Sequence, residues 1–213
     1  MSFSHVPVLL HEVIDTLAPE RGGIFVDGTL GGGGHGEEIL KRLPEGGRYI
    51  GIDRDMNAIR AATERLSCYR DKFTAIHGNF FDMATLLKER GIEKVNGILL
   101  DLGVSSHQLD TPERGFSYHT DAPLDMRMDQ SAAFSAYDVV NGYSFEELCR
   151  ILRDYGEERF AARIADRIVK QRQTSPINST AELAQLVKSA IPAKYRNEPQ
   201  HPHGGHSRRC ASR

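Results

Sequence analysis

Val26-Asp27-Gly28-Thr29-Leu30-Gly31-Gly32-Gly33-Gly34-His35-Gly36 decides how this chain reads. The β-branched and aromatic run Ile24-Phe25-Val26 leads into it, and a helix-like run, Glu37 to Leu43, follows at once. Strand, glycine turn, helix is the arrangement that lets a backbone approach a nucleotide cofactor. Glycine suits the turn because a Cβ would obstruct both positive φ angles and close approach. Gly31 to Gly36 satisfies GxGxxG, a weak signal by itself.

Working outward, a helix is predicted from Val8 to Leu17, with Pro7 near its start, then strand one at about Ile24 to Asp27. Gly46-Gly47 closes the next helix, and Arg48 to Asp53 reads as strand two. A helix over Asn57–Leu66, a strand at Phe73–His77 and a helix over Met83–Arg90 follow. Val95 to Asp101 reads as strand four, apolar on both faces and so suited to the interior of a parallel sheet. Alternating strands and helices predict an α/β doubly wound sheet. After Asp101 the pattern changes. Residues 103–142 are rich in Gly, Ser, Pro, Asp and Met and show no clear period, and a loop that long is usually functional. Helices are predicted beyond it at Ser144–Asp154, Glu157–Gln173 and from Ser179 or Thr180 to about Ile191. Ser179-Thr180-Ala181-Glu182 has the composition of a helix start.

Several residues stand where a cofactor site needs them. Asp53 ends strand two, 20 positions beyond Gly33, where an acid accepts hydrogen bonds from ribose hydroxyls; a helix cap is the lesser alternative. Phe80 follows strand three and could cover a purine face, as could its neighbour Phe81; a core position suits either. Asp101 leaves the carboxyl end of strand four, where ligands of open α/β sheets bind. Arg159, Arg163 and Arg167 recur every four residues beside Lys170, opposite the apolar stripe Phe160, Ile164, Ile168. That face suits an RNA phosphate backbone or a solvated surface.

Composition narrows the classes. The chain has 213 residues, 39% hydrophobic and 26% charged, with net charge −2, ordinary for a globular domain and not for a wholesale nucleic-acid binder. No apolar run is long enough to span a bilayer, and Met1 to His5 has no signal-peptide pattern. Cys68, Cys149 and Cys210 form no CxxC pair, so neither a metal site nor a disulfide framework is expected. A cytoplasmic location is the expectation.

Taken together these stretches resemble the bacterial small-subunit ribosomal RNA methyltransferase H (MraW-like) family, S-adenosylmethionine-dependent cytosine-N4 enzymes. The resemblance rests on His5-Val6-Pro7-Val8-Leu9-Leu10, Asp27-Gly28-Thr29 through His35, Ile52-Asp53-Arg54-Asp55, and Gly97 through Ser106 with Gln108-Leu109-Asp110. It continues through Arg114-Gly115-Phe116-Ser117, Pro123-Leu124-Asp125-Met126-Arg127-Met128-Asp129 and Tyr155-Gly156-Glu157-Glu158-Arg159-Phe160-Ala161. It implies a class I methyltransferase (Rossmann-like) sheet with an inserted all-α module that recognises substrate. It implies S-adenosylmethionine contacts at Gly33, Gly34, His35, Asp53, Phe80, Asp101 and Gln108. The implied substrate is a cytidine in the decoding region of 16S rRNA, presented in the 30S ribosomal subunit, with neither membrane nor DNA as partner. No cysteine is placed for covalent C5 chemistry, which agrees with attack by the exocyclic amine, and Asp101 or the Ser105-Ser106 loop is the candidate proton acceptor. A nicotinamide-dependent oxidoreductase and a non-catalytic RNA-binding or assembly protein are the competing readings.

The expected division is an incomplete Rossmann-like portion at 1–108, an active-site and connecting loop at 109–142, the helical module at 143–202 and an aberrant tail at 203–213. The resemblance ends after His201-Pro202, and the aperiodic tail is the kind expected from a frameshift near the Pro202 codon. The sheet strands that follow in the family are therefore expected to be missing. That would leave the edge of strand four bare and the chain poorly soluble with little activity.

Overall fold

A computed structural model describes residues 7–196; His5, Val6, Pro202 and the 203–213 tail lie outside them. The chain divides into one unit up to Asp101 and a second from Leu102.

In the first unit α1 (Leu10–Leu17) precedes β1 (Ile24–Asp27), α2 (Gly34–Arg42), β2 (Arg48–Asp53), α3 (Met56–Arg65), β3 (Phe73–His77), α4 (Met83–Lys88) and β4 (Gly97–Leu99). All pairings are parallel, in the order β3-β2-β1-β4. This is the doubly wound α/β sheet expected. Strand alternation explains its two cores. Phe25 and Tyr49, paired in register, face one way and pack with Ile14, Ile39, Leu40 and Leu66 from α1, α2 and the end of α3. Their neighbours Val26 and Ile50 face the other way, with Ile52, Ile76 and Leu87. The chain winds outward from β1 to β3, then returns across β1 to β4. That reversal opens a crevice beyond the carboxyl ends of β1 and β4, where ligands bind in such sheets.

Strand four is shorter than the apolar run Val95–Asp101 predicts, and it is not interior among the described residues. It pairs only with β1, and Ile98 is 52% exposed. The Asn96 side chain explains where it begins, because its Oδ1 accepts the Ile24 N–H at 2.8 Å in place of a ladder carbonyl.

The second unit contains α5 (Ser106–Asp110), α6 (Ala136–Gly142), α7 (Phe145–Asp154), α8 (Ala161–Thr174), α9 (Thr180–Ala190) and α10 (Ala193–Arg196). Its core gathers Leu124, Val140, Leu148, Ile164, Ile177 and Ile191. Helix α8 starts four residues later than the pattern suggests, because Glu157 takes a left-handed conformation (φ 51°). The stretch 103–142 is not one loop, since it holds α5 and α6, each opened by a serine capping box. Those helices are five and seven residues long, too short to print a period on the sequence. Between them Arg114, only 2% exposed, donates from Nη2 to the carbonyls of Arg127 (2.9 Å) and Met128 (3.0 Å). Arg127 grips both oxygens of Asp125, at 3.0 and 2.7 Å. The distinctive Leu-Asp-Met-Arg-Met run is thus a loop locked by its own arginines.

Candidate functional site

Four strand ends build the candidate cofactor site. At the end of β1 Asp27 is buried, and its Oδ1 accepts the Thr29 N–H at 2.9 Å, turning the chain sharply. Gly28 N–H donates to Leu99 O at 2.9 Å, joining that turn to β4. Gly33 caps α2 with φ 77°, a left-handed conformation in which an L side chain is strained. Not every glycine serves a ligand. A Cβ on Gly36 would lie 2.6 Å from the Tyr49 ring, so this last glycine of the GxGxxG pattern makes room for a core aromatic.

Asp53 closes β2 and stands in the turn. Its Oδ2 accepts the Gly31 N–H and its Oδ1 the Asp55 N–H, each at 2.8 Å. Burial raises its carboxyl above the ordinary range, against the lowering effect of those two bonds. The helix cap that the sequence left open for Asp53 belongs to Asp55, whose side chain accepts from Asn57 N–H.

Phe80 opens a 3-10 turn after β3 and lies over Gly28, where an added Cβ would be 2.8 Å from its own. Phe81, its rival, points away and is 85% exposed. Asp101 follows β4. Its N–H donates to Thr29 Oγ1 at 2.7 Å, and its half-exposed carboxylate lies 3.9 Å from His35 Nε2. Burial lowers the His35 pKa, overriding the opposing pull of Asp101, so the ring is neutral at pH 7. His35 Nδ1 is buried without a hydrogen-bond partner. Gly33, Gly34, His35, Asp53, Phe80 and Asp101 therefore gather at one end of the sheet.

Gln108 belongs to the second unit, where its side chain closes the α5 capping box with Ser105. Arg163, Arg167 and Lys170 are exposed on α8, Lys170 paired with Asp166 at 2.8 Å. Arg159 precedes the helix and stacks over the rings of Phe160 and Tyr195. Sequence reasoning passed over Arg172, which caps the carbonyls of Val140 and Tyr143 and so takes no part in the exposed basic face. It also passed over Tyr49, whose hydroxyl donates to Asp27 Oδ2 at 2.8 Å; only its place beside β1 in register could have flagged it. Among the described residues no group of His, Cys, Asp and Glu could hold a metal ion, and no helix is long and apolar enough to cross a membrane.

The site is shaped for a nucleotide-like cofactor: a glycine turn without side chains, two acids at strand ends and an aromatic over the turn. Comparison with known proteins gives the family. The chain is 55% identical over 202 residues to a ribosomal RNA small subunit methyltransferase H of Lachnospira eligens, covering 95% of this chain and 64% of that protein. It is 53% identical over 198 residues to the protein of the same name from Clostridium botulinum, covering 93% and 64%. It is 55% identical over 203 residues to ribosomal RNA small subunit methyltransferase H 2 of Agathobacter rectalis, covering 95% and 65%. The chain thus spans just under two thirds of the length of these relatives. The model of the MraW methylase family matches residues 2–205, and the chain belongs to that family.

Proposed function

We propose that this chain is the cofactor-binding and substrate-recognising part of an S-adenosylmethionine-dependent methyltransferase acting on 16S rRNA at the N4 amine of a cytidine. The observation that carries the reading is the convergence of the glycine turn, Asp53, Phe80 and Asp101 at the crevice beyond β1 and β4, in a chain similar to rRNA methyltransferases throughout its matched length. When bound, S-adenosylmethionine supplies an electrophilic methyl group on a sulfonium. Gly33, Gly34 and His35 would hold it through the turn and the start of α2, Asp53 through its ribose hydroxyls and Phe80 through its purine face. Gln108 would complete the contacts by the family resemblance.

The chain's own residues orient and deprotonate. The amine lone pair of cytosine is delocalised into the ring, so a nearby acceptor that takes the departing proton favours transfer. Asp101 suits that role. Its backbone is held by Thr29 while its carboxylate stays half exposed, beside a neutral His35. The exposed arginines of α8 would bind phosphates, and the helical module 143–202 would present the flipped base. This reading places the protein in the cytoplasm with the 30S subunit as partner.

Methyl transfer from labelled S-adenosylmethionine to 30S subunits, with nucleoside mass spectrometry, tests it. N4-methylcytidine is expected. A C5-methyl product would overturn the chemistry, and S-adenosylmethionine binding without transfer would favour the assembly-protein reading. Binding of a nicotinamide dinucleotide in its place would overturn the cofactor.

A further inference from the structure

Among the described residues Asp27 is the most buried charged one, and it has no part in the contacts proposed above. Its carboxylate is fully used. Oδ2 accepts the Tyr49 hydroxyl at 2.8 Å, and Oδ1 accepts both the Thr29 N–H at 2.9 Å and the Thr29 hydroxyl at 3.2 Å. That hydroxyl in turn accepts the Asp101 N–H at 2.7 Å. One carboxylate therefore joins β2, the turn after β1 and the segment leaving β4. Tyr49 is itself fully buried and is held from the far side by the space Gly36 leaves for its ring.

We propose that Asp27 is a positioning residue for the cofactor site: through Thr29 it sets the glycine turn and the start of the Asp101 segment together. The proposal rests on the reading that this end of the sheet takes S-adenosylmethionine. It assigns Thr29 a definite task, since its hydroxyl passes the constraint across 72 residues of sequence. Valine in its place has the same shape and cannot pass it on.

The test uses the full 213-residue chain and the variants T29V, T29S and D27N. Amide hydrogen exchange at pH 7 without ligand reads the tie directly. T29V should lose protection in residues 28–33 and at Asp101 while β2 keeps its own, and T29S should match the wild type. Calorimetric titration with S-adenosylmethionine at pH 7 reads its use. T29V should bind about tenfold more weakly, the worth of a hydrogen bond made to a charged network. D27N should share both losses. Unchanged exchange in T29V or D27N overturns the proposal whether or not the cofactor binds. If T29V exchanges faster while the wild type binds no S-adenosylmethionine, the tie stands and the cofactor reading fails.

Discussion

The Gly31 N–H donates to Asp53 Oδ2 at 2.8 Å, so the acid that ends β2 holds the turn that follows β1. Asp53 would thus act twice, bracing the turn and accepting the ribose. Asp53→Ala removes both, and S-adenosylmethionine affinity should fall about 10- to 100-fold, the range of one to two charge-assisted hydrogen bonds. Asp53→Asn keeps one acceptor oxygen and should lose less. Calorimetric titration of both variants decides it, and equal losses would contradict the double role.

Phe80 and Phe81 are adjacent but differently placed, one over Gly28 and the other 85% exposed. Phe80→Ala should weaken cofactor binding by about 1–3 kcal/mol, the worth of one stacked base. Phe81→Ala should bind as wild type does. The reverse pattern in the same titration would move the purine to the other ring.

Stability should carry the mark of Asp27. Its folded pKa of about 6 stands above the ordinary 3.8, so the fold prefers the protonated form. Below pH 3.8 the group is protonated in both states and costs nothing. As the pH rises from about 4 to 6 the unfolded chain ionises first, and this residue lowers stability by about 3 kcal/mol in all. Urea denaturation of wild type against Asp27→Asn should show the variant gaining on the wild type across that window. Parallel curves would contradict it.

How much of this could be read from the sequence varied with the range of the forces involved. Strand, glycine turn and helix are local, and the alternation of strands with helices gave the doubly wound sheet; the division of Phe25 and Val26 between its two faces emerged only in the structure. Asp53 and Asp101 were found because they end apolar runs. The tie between Asp27 and Tyr49 was not legible, since it depends on register between strands 22 residues apart. The short helices α5 and α6 hold too few residues for periodicity, and their serine caps were the only trace. The length of β4 was misjudged, because an apolar run shows what can be buried and says nothing of where pairing stops; its bare edge was expected.

Arg163 and Arg167 are exposed on α8. Charge reversal of both should leave the unfolding midpoint unchanged and weaken 16S rRNA binding. The slope of log affinity against log salt should shrink by about 2, one for each lost phosphate contact. Filter binding across a salt series measures this, and an unaltered slope would remove α8 from the RNA interface.

Arg114 should matter for folding rather than for chemistry. Removing it leaves the Arg127 and Met128 carbonyls without their charged donor. Arg114→Ala should cost about 2–4 kcal/mol in the second unit, with susceptibility to proteolysis between 115 and 135 as the readout. Proteolysis at the wild-type rate would show that the loop is held by other means.

The return of the chain to β4 also sets an order in time. Strands β1, β2 and β3 follow one another closely, whereas β4 must find β1 across 72 residues, a loop closure that comes late and slowly. Until it docks, Gly28 has no Leu99 carbonyl to reach and Thr29 no Asp101 amide to hold. During synthesis the turn would exist before it could grip anything. Cofactor affinity would then serve as a clock, appearing only when the first hundred residues have closed on themselves.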